Sequence, residues 1–207
     1  MVEYFVNGGP FMWPILLLLI AGLGISGERF YTLIMSSTNT KEFFDDVIKS
    51  LDNEGIDNTI ELCNNTQGPV AGIFHAGLSR FHRGLREVEK AVQDAGGLEM
   101  SFLEKNMIWM NAVITIAPML GFTGTVAGMV NAFDAIAAAN DISPAVVAGG
   151  ISQALLTTAF GLIVAMIIQI FQNFFVSMID KLILDMEENS VKFMDQLHLE
   201  YEKLAQS

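Results

Sequence analysis

The chain has 207 residues, a formal net charge of −12, 52% apolar residues and only 16% charged ones. The acidic balance excludes a nucleic-acid surface, which needs a basic face for phosphate. Soluble domains carry about 25% charged residues, so the scarcity of charge here points to the membrane. A single cysteine, Cys63, excludes an internal disulfide and cannot form a metal site by itself.

In chain order, the first uncharged stretch runs from Phe11 to Gly27 and contains the run Ile15-Leu16-Leu17-Leu18-Leu19-Ile20. It is at the short end for a spanning helix, which needs about 20 apolar residues. Met1–Pro10 carries Glu3 and no Lys or Arg, unlike the basic start of a cleaved signal peptide, so a retained span is expected. Glu28 and Arg29 follow at once and read as a paired anchor at the inner membrane boundary, with subunit contact or partner docking as the sharper role.

The next segment reads as helix. Phe44, Val47, Ile48 and Leu51 follow i, i+3, i+4, i+7 spacing, Asn39 with Glu42 is a candidate cap, and Gly55 ends the element. A short helix is expected over Asp57–Asn64. After Gly68-Pro69 a stripe runs through Val70, Phe74, Gly77, Leu78, Phe81 and Leu85, and Val88, Ala91, Val92 and Ala95 continue it up to Gly96-Gly97. From Leu98 the chain is expected to feed directly into the second span. His75 and His82 share a face without a third ligand nearby, so no metal site is expected.

From Asn106 to Asn140 the sole charge is Asp134, and from Ile142 to Ile179 there are none in 38 residues. Both stretches span a membrane comfortably. Asp134 falls near the outer end of the second span and reads as a solvated charge or, in several copies, as an acidic ring. Trp13 and Trp109 read as interface anchors. Beyond the third span, Ile179, Ile183, Met186, Ser190, Phe193, Leu197, Glu200 and Leu204 form a heptad-like seam. A helix over residues 145–200 would be roughly 80 Å long and needs support from the loop helices or from other copies.

The basic residues give the topology. Eight of the eleven Lys and Arg lie between the first and second spans, and three (Lys181, Lys192, Lys203) follow the third. The positive-inside rule puts both regions in the cytoplasm, with the N-terminus and the link around 138–144 outside. The fold class is therefore an all-α membrane protein with three transmembrane helices, N-out and C-in, and long cytoplasmic helical extensions.

The second and third spans carry small residues at three- and four-residue steps: Gly121, Gly124 and Gly128 on one, Gly150, Ala154 and Gly161 on the other. Such spacing lets helix backbones approach closely, and packing explains these positions fully. Thr125, Thr157, Thr158 and Gln153 allow two readings. Their polar groups can bond local carbonyls, or a cluster on facing helices can line a polar path. The first and third spans contain no Asp, Glu, His, Lys or Arg. If protons cross here, a partner must supply the group that titrates.

At these residues the sequence resembles the MotA/TolQ/ExbB proton-channel family, most closely its ExbB members. Gly9-Pro10-Phe11-Met12-Trp13-Pro14-Ile15 with Glu28-Arg29-Phe30 resembles the first helix and its inner edge. Ala117-Pro118-Met119-Leu120-Gly121-Phe122-Thr123-Gly124-Thr125-Val126-Ala127-Gly128-Met129 is similar to the second-helix signature. Ile151-Ser152-Gln153-Ala154-Leu155-Leu156-Thr157-Thr158-Ala159-Phe160-Gly161-Leu162 is similar to the third.

The resemblance implies a homopentamer in the bacterial inner membrane around an ExbD-like single-span subunit whose aspartate titrates. It implies proton-driven work passed to a TonB-like protein for transport across the outer membrane, with no cofactor. Thr125 and Thr158 match the family threonines that face the central pore. The chain then divides into a periplasmic N-terminus (1–10), spans at 11–27, 111–137 and 145–176, a cytoplasmic helical loop (28–110), a periplasmic link (138–144) and a cytoplasmic C-terminal helix (177–207).

Two departures stand out. Gln153 replaces a common Glu, and an amide cannot relay a proton. Ala165-Met166-Ile167-Ile168 replaces a proline-containing segment, so a straighter third helix is expected. The rival readings are a TolQ-like stator, a gliding or secretion motor, or a passive scaffold. No catalytic triad or metal-ligand set is visible, so an enzyme is not expected.

Overall fold

The structure, a computed structural model, describes residues 2–37, 40–139 and 144–206. Among them the regular structure is helical: α1 (Val2–Asn7), α2 (Met12–Ser36), α3 (Thr40–Asn53), α4 (Ile56–Asn65), α5 (Pro69–Leu78), α6 (Leu85–Leu103), α7 (Met107–Ala139) and α8 (Pro144–Gln206), with a 3₁₀ turn at Phe81–Arg83. Three helical stretches, carried by α2, α7 and α8, are long and apolar enough to cross a membrane. The chain is an all-α membrane protein. The candidate cap Asn39 and the centre of the expected outer link lie outside the described residues.

The chain forms two compact units, each described by itself. The first comprises the residues up to Arg29 together with Asn106–Phe174. Its α1 ends in a tight turn in which Gly9, at φ +77, leads into α2. The Gly8 amide donates to the Tyr4 carbonyl at 3.1 Å, and Phe5 meets Trp13 edge-on at 5.3 Å.

The interior of this unit is narrow and lined by Met12, Ile15, Met110, Val113, Ala117, Ala154, Val164 and Ile168. Outward-facing positions are equally apolar: Leu17, Ile20 and Leu23 on α2, Phe122, Val126 and Phe133 on α7, Leu155 and Leu162 on α8. An apolar exterior of this extent belongs in hydrocarbon, where the hydrophobic effect no longer drives the helices together.

The second unit comprises Phe30–Lys105 and the chain from Phe175 onward. Phe74, fully buried on α5, stacks on Phe193 of α8 at 4.1 Å and on Phe43 of α3 at 5.9 Å. Val47, Leu51, Ile73, Leu78, Val88 and Leu197 complete this core.

Several local expectations are corrected here. The stripe through Val70 and Leu85 is not one helix: α5 stops at Leu78, Phe81 stays buried in the 3₁₀ turn, and Gly84 at φ +98 redirects the chain into α6. Conversely, Gly96-Gly97 does not end a helix, since α6 continues to Leu103. Each glycine costs about 1 kcal/mol in a helix interior, which burial of Val88, Ala91, Val92 and Leu103 outweighs.

Nor does the chain run directly from Leu98 into α7. It breaks between Leu103 and Met107, where Asn106 sits at φ +66, a conformation asparagine tolerates better than most residues. On α8 the buried seam is Ile179, Leu182, Met186, Asn189, Phe193 and Leu197, so Leu182 and Asn189 face inward more fully than Ile183 and Ser190. α8 itself is uninterrupted over 63 residues.

Candidate functional site

The site is built by the close approach of α7 and α8. A side chain at Gly161 would stand 2.5 Å from the Ala117 carbonyl oxygen, and one at Gly121 would stand 3.1 Å from the Thr157 carbonyl oxygen and the Thr158 Cα. At Gly128 an added methyl would meet Ala154 at 3.1 Å, and Gly150 faces Ala132 across the same seam. Backbone therefore lies against backbone, as small residues at this spacing allow.

That proximity lets hydroxyls reach across. Thr158 Oγ1 donates to the Gly121 carbonyl of α7 at 3.1 Å, and Thr125 Oγ1 reaches the Ala154 carbonyl of α8 at 3.2 Å. The two hydroxyls also bond each other, and either can be the donor. Thr125 has a further acceptor in its own turn, the Gly121 carbonyl at 3.3 Å. Two hydroxyl protons thus face more acceptors than they can fill. Reversing the Thr125–Thr158 bond moves the free proton from one backbone acceptor to another without breaking the pair. Both threonines remain partly exposed.

Thr157 and Gln153 are held elsewhere. Thr157 is buried at 1% exposure, and its hydroxyl lies 2.9 Å from the Gly8 carbonyl and 2.8 Å from the Gln153 carbonyl. The Gln153 amide lies so close to Gly9 that a side chain at Gly9 would run into it. The methyl end of Thr157 likewise fills the space in front of Gly124. The structure thus brings Thr125 and Thr158 together, while Thr157 and Gln153 pack against the turn that enters α2. Adjacent residues on a helix point about 100° apart, so Thr157 and Thr158 serve different neighbours.

Glu28 and Arg29 form a bidentate ion pair, with Arg29 Nε donating to Glu28 Oε2 at 2.7 Å and Nη2 engaging Oε1. Arg29 is 1% exposed. Asn106, not singled out from the sequence, donates from Nδ2 to Glu28 Oε2 at 3.2 Å. Its signal would have been an asparagine alone between two helical patterns. Trp13, Trp109 and Asp134 are exposed. Away from the spans, burial pushes the Cys63 thiol up to about 12 and keeps it neutral.

Apolar helices with small-residue contacts and a half-buried hydroxyl pair define a membrane-embedded, multi-helix polar contact rather than a simple lipid anchor. Residues 65–188 match the model of the MotA/TolQ/ExbB proton channel family, and the chain belongs to that family. It is 31% identical over 185 residues to an ExbB homolog of Methanothermobacter thermautotrophicus, covering 86% of this chain and 64% of that protein. The chain therefore spans less than two thirds of that relative's length. An ExbB-like protein of Synechocystis is 27% identical over 173 residues, 83% of this chain and 82% of its own. The Tol-Pal system protein TolQ of Pseudomonas aeruginosa is 34% identical over 108 residues, 46% of each chain.

Proposed function

We propose that this chain is the ExbB-like subunit of an inner-membrane motor that uses the proton-motive force to energise TonB-dependent transport across an outer membrane. The observation that carries the reading is the reversible Thr125–Thr158 hydroxyl pair, set where α7 and α8 touch and bare of any carboxylate of its own. A proton path needs a group that titrates. The reading assigns that group to a single-span partner with a membrane aspartate, held inside a pentamer of this chain with N-termini outside and the loop from 28 to 110 in the cytoplasm. Thr125 and Thr158 face the aspartate. Gln153 and Thr157 support the same wall from the side of the Gly8–Gly9 turn, and Glu28 with Arg29 fixes the inner edge of the first span.

Native mass spectrometry of the detergent-solubilised chain, with and without the partner, tests this. Five copies with two of the partner are expected. A monomer or dimer that ignores the partner would instead favour a passive scaffold. A Tol-type envelope motor is the second reading, favoured by the similarity to TolQ. Deletion separates the two: loss of iron-complex uptake supports the first, and loss of envelope integrity supports the second.

A further inference from the structure

The Thr125–Thr158 pair occupies one level of the proposed path, and a proton must still travel from there to the inner side. Three amides stand out in the uncharged run of α8: Gln169, Gln172 and Asn173. Thr158, Ala165, Gln169 and Gln172 are separated by seven, four and three residues, which puts them on one stripe of the helix. On α7, Thr125, Pro118 and Ile114 are separated by seven and four and share a stripe in the same way. The structure brings the two stripes together a second time. Ile114, Pro118, Ala165, Met166, Gln169 and Ile170 line one groove of about 540 Å³.

Two features of this lower level do not fit plain packing. Pro118 lies inside α7 and has no amide hydrogen to give to the Ile114 carbonyl, so an acceptor is released where Ile114 lines the groove. Gln172 Oε1 is buried and has no hydrogen-bond partner among the described residues. Buried polar atoms are nearly always paired, with protein or with ordered water, and an unpaired one calls for an explanation. Gln169 Nε2 meanwhile donates to Asn173 Oδ1 at 2.8 Å, which leaves the Gln169 oxygen and the Asn173 amide hydrogens to engage a neighbour.

We propose that Gln169, Gln172 and Asn173, with the Ile114 carbonyl, form the inner half of the proton path whose outer half is the Thr125–Thr158 pair. The inference rests on the proton-channel reading above. The amides neither gain nor lose a proton. They hold a file of water between the partner's carboxylate and the cytoplasm, and the proton released by that carboxylate passes along this file by exchange of hydrogen bonds. Thr158 and Gln169 are eleven residues apart, about 16 Å along a helix, a gap that water bridges and side chains alone do not.

The test is proton flux into proteoliposomes that hold the full chain with its single-span partner, read with an enclosed pH-sensitive dye. Native mass spectrometry verifies assembly of every variant. Gln169→Leu and Asn173→Leu should each lower flux about tenfold or more, because leucine keeps the volume and removes the polar groups. Gln169→Asn should restore most of it, which a merely structural role would not require. Leu155→Met, on the apolar exterior of α8 and outside the groove, should conduct like the parent chain.

If Gln169→Leu and Asn173→Leu conduct normally while Thr158→Val is blocked, the inner-half assignment is overturned and the channel reading stands. If they abolish assembly and Gln169→Asn conducts no better than Gln169→Leu, the amides are packing contacts and the assignment again falls. A parent complex that conducts nothing overturns the channel reading and this inference with it.

Discussion

Thr125 on α7 and Thr158 on α8 are bonded to each other by their hydroxyls, and each also reaches a carbonyl of the opposite helix. Glycine at 121 and 161 makes this possible by removing the side chains that would hold the helices apart.

Because the two hydroxyls act as one unit, their removal should not be additive. Thr125→Val and Thr158→Val should each reduce proton flux about tenfold or more, and the double variant should be little worse than either. Thr158→Ser should retain most of the flux. Normal flux in both valine variants would remove these residues from the path.

The glycines divide into two kinds, and alanine substitution should tell them apart. Gly161→Ala forces a methyl to 2.5 Å from the Ala117 carbonyl oxygen, and should destabilise the packing of α7 on α8 by about 1–3 kcal/mol. Gly96→Ala and Gly97→Ala meet nothing within 4 Å inside α6, and each should stabilise by about 0.4–1 kcal/mol. Thermal unfolding in detergent measures both. A loss of stability at 96 or 97 would show that a neighbouring copy needs that surface bare.

Glu28 sits beside the buried guanidinium of Arg29 and accepts from Asn106. Glu28→Ala should cost about 1–3 kcal/mol, since the buried guanidinium of Arg29 loses the half-exposed carboxylate that engages its Nε and Nη2. Asn106→Gly should cost much less, because glycine adopts φ +66 freely and the bond it loses to Glu28 is exposed to solvent. Melting temperatures of the two variants give the comparison.

Cys63 is buried, and burial raises its thiol from 9.0 to about 12. The folded protein should therefore resist a thiol-alkylating reagent at pH 8, and the denatured chain should react quickly. In the unfolded chain the thiol ionises near 9.0, before it does so in the folded one, so stability should fall as pH rises from about 9 toward 12. Cys63→Ala should flatten that slope in unfolding measured against pH.

The membrane helices were legible in the sequence because charge is absent over long, bounded runs, a signal that survives without any knowledge of neighbours. The hydroxyl and glycine positions were legible as candidates for the same reason. What the sequence could not reveal was direction. Thr157 and Thr158 are alike and adjacent, yet one bonds the Gly8 carbonyl and the other bonds Thr125. The break at Ser79–Gly84 was hidden because Phe81 keeps apolar spacing through a turn, and the continuity of α6 was hidden because two glycines look like a stop. Gln169, Gln172 and Asn173 lie inside an apolar run, and three amides so close together there are the sequence signal for the inner half of the proposed path.

The uncharged run from Ile142 to Ile179 has an electrical consequence. A transmembrane voltage does work only on charge, about 2.3 kcal/mol for each elementary charge per 100 mV. Reversing a hydrogen bond between two threonines moves a dipole and almost no charge, so this helix is nearly blind to voltage. In the proposed motor the field then acts on the travelling proton and on the partner carboxylate that receives it. On the motor reading proposed above, charge-neutral substitutions within α8 should change how fast the motor turns over, while the voltage at which it stalls stays with the proposed partner.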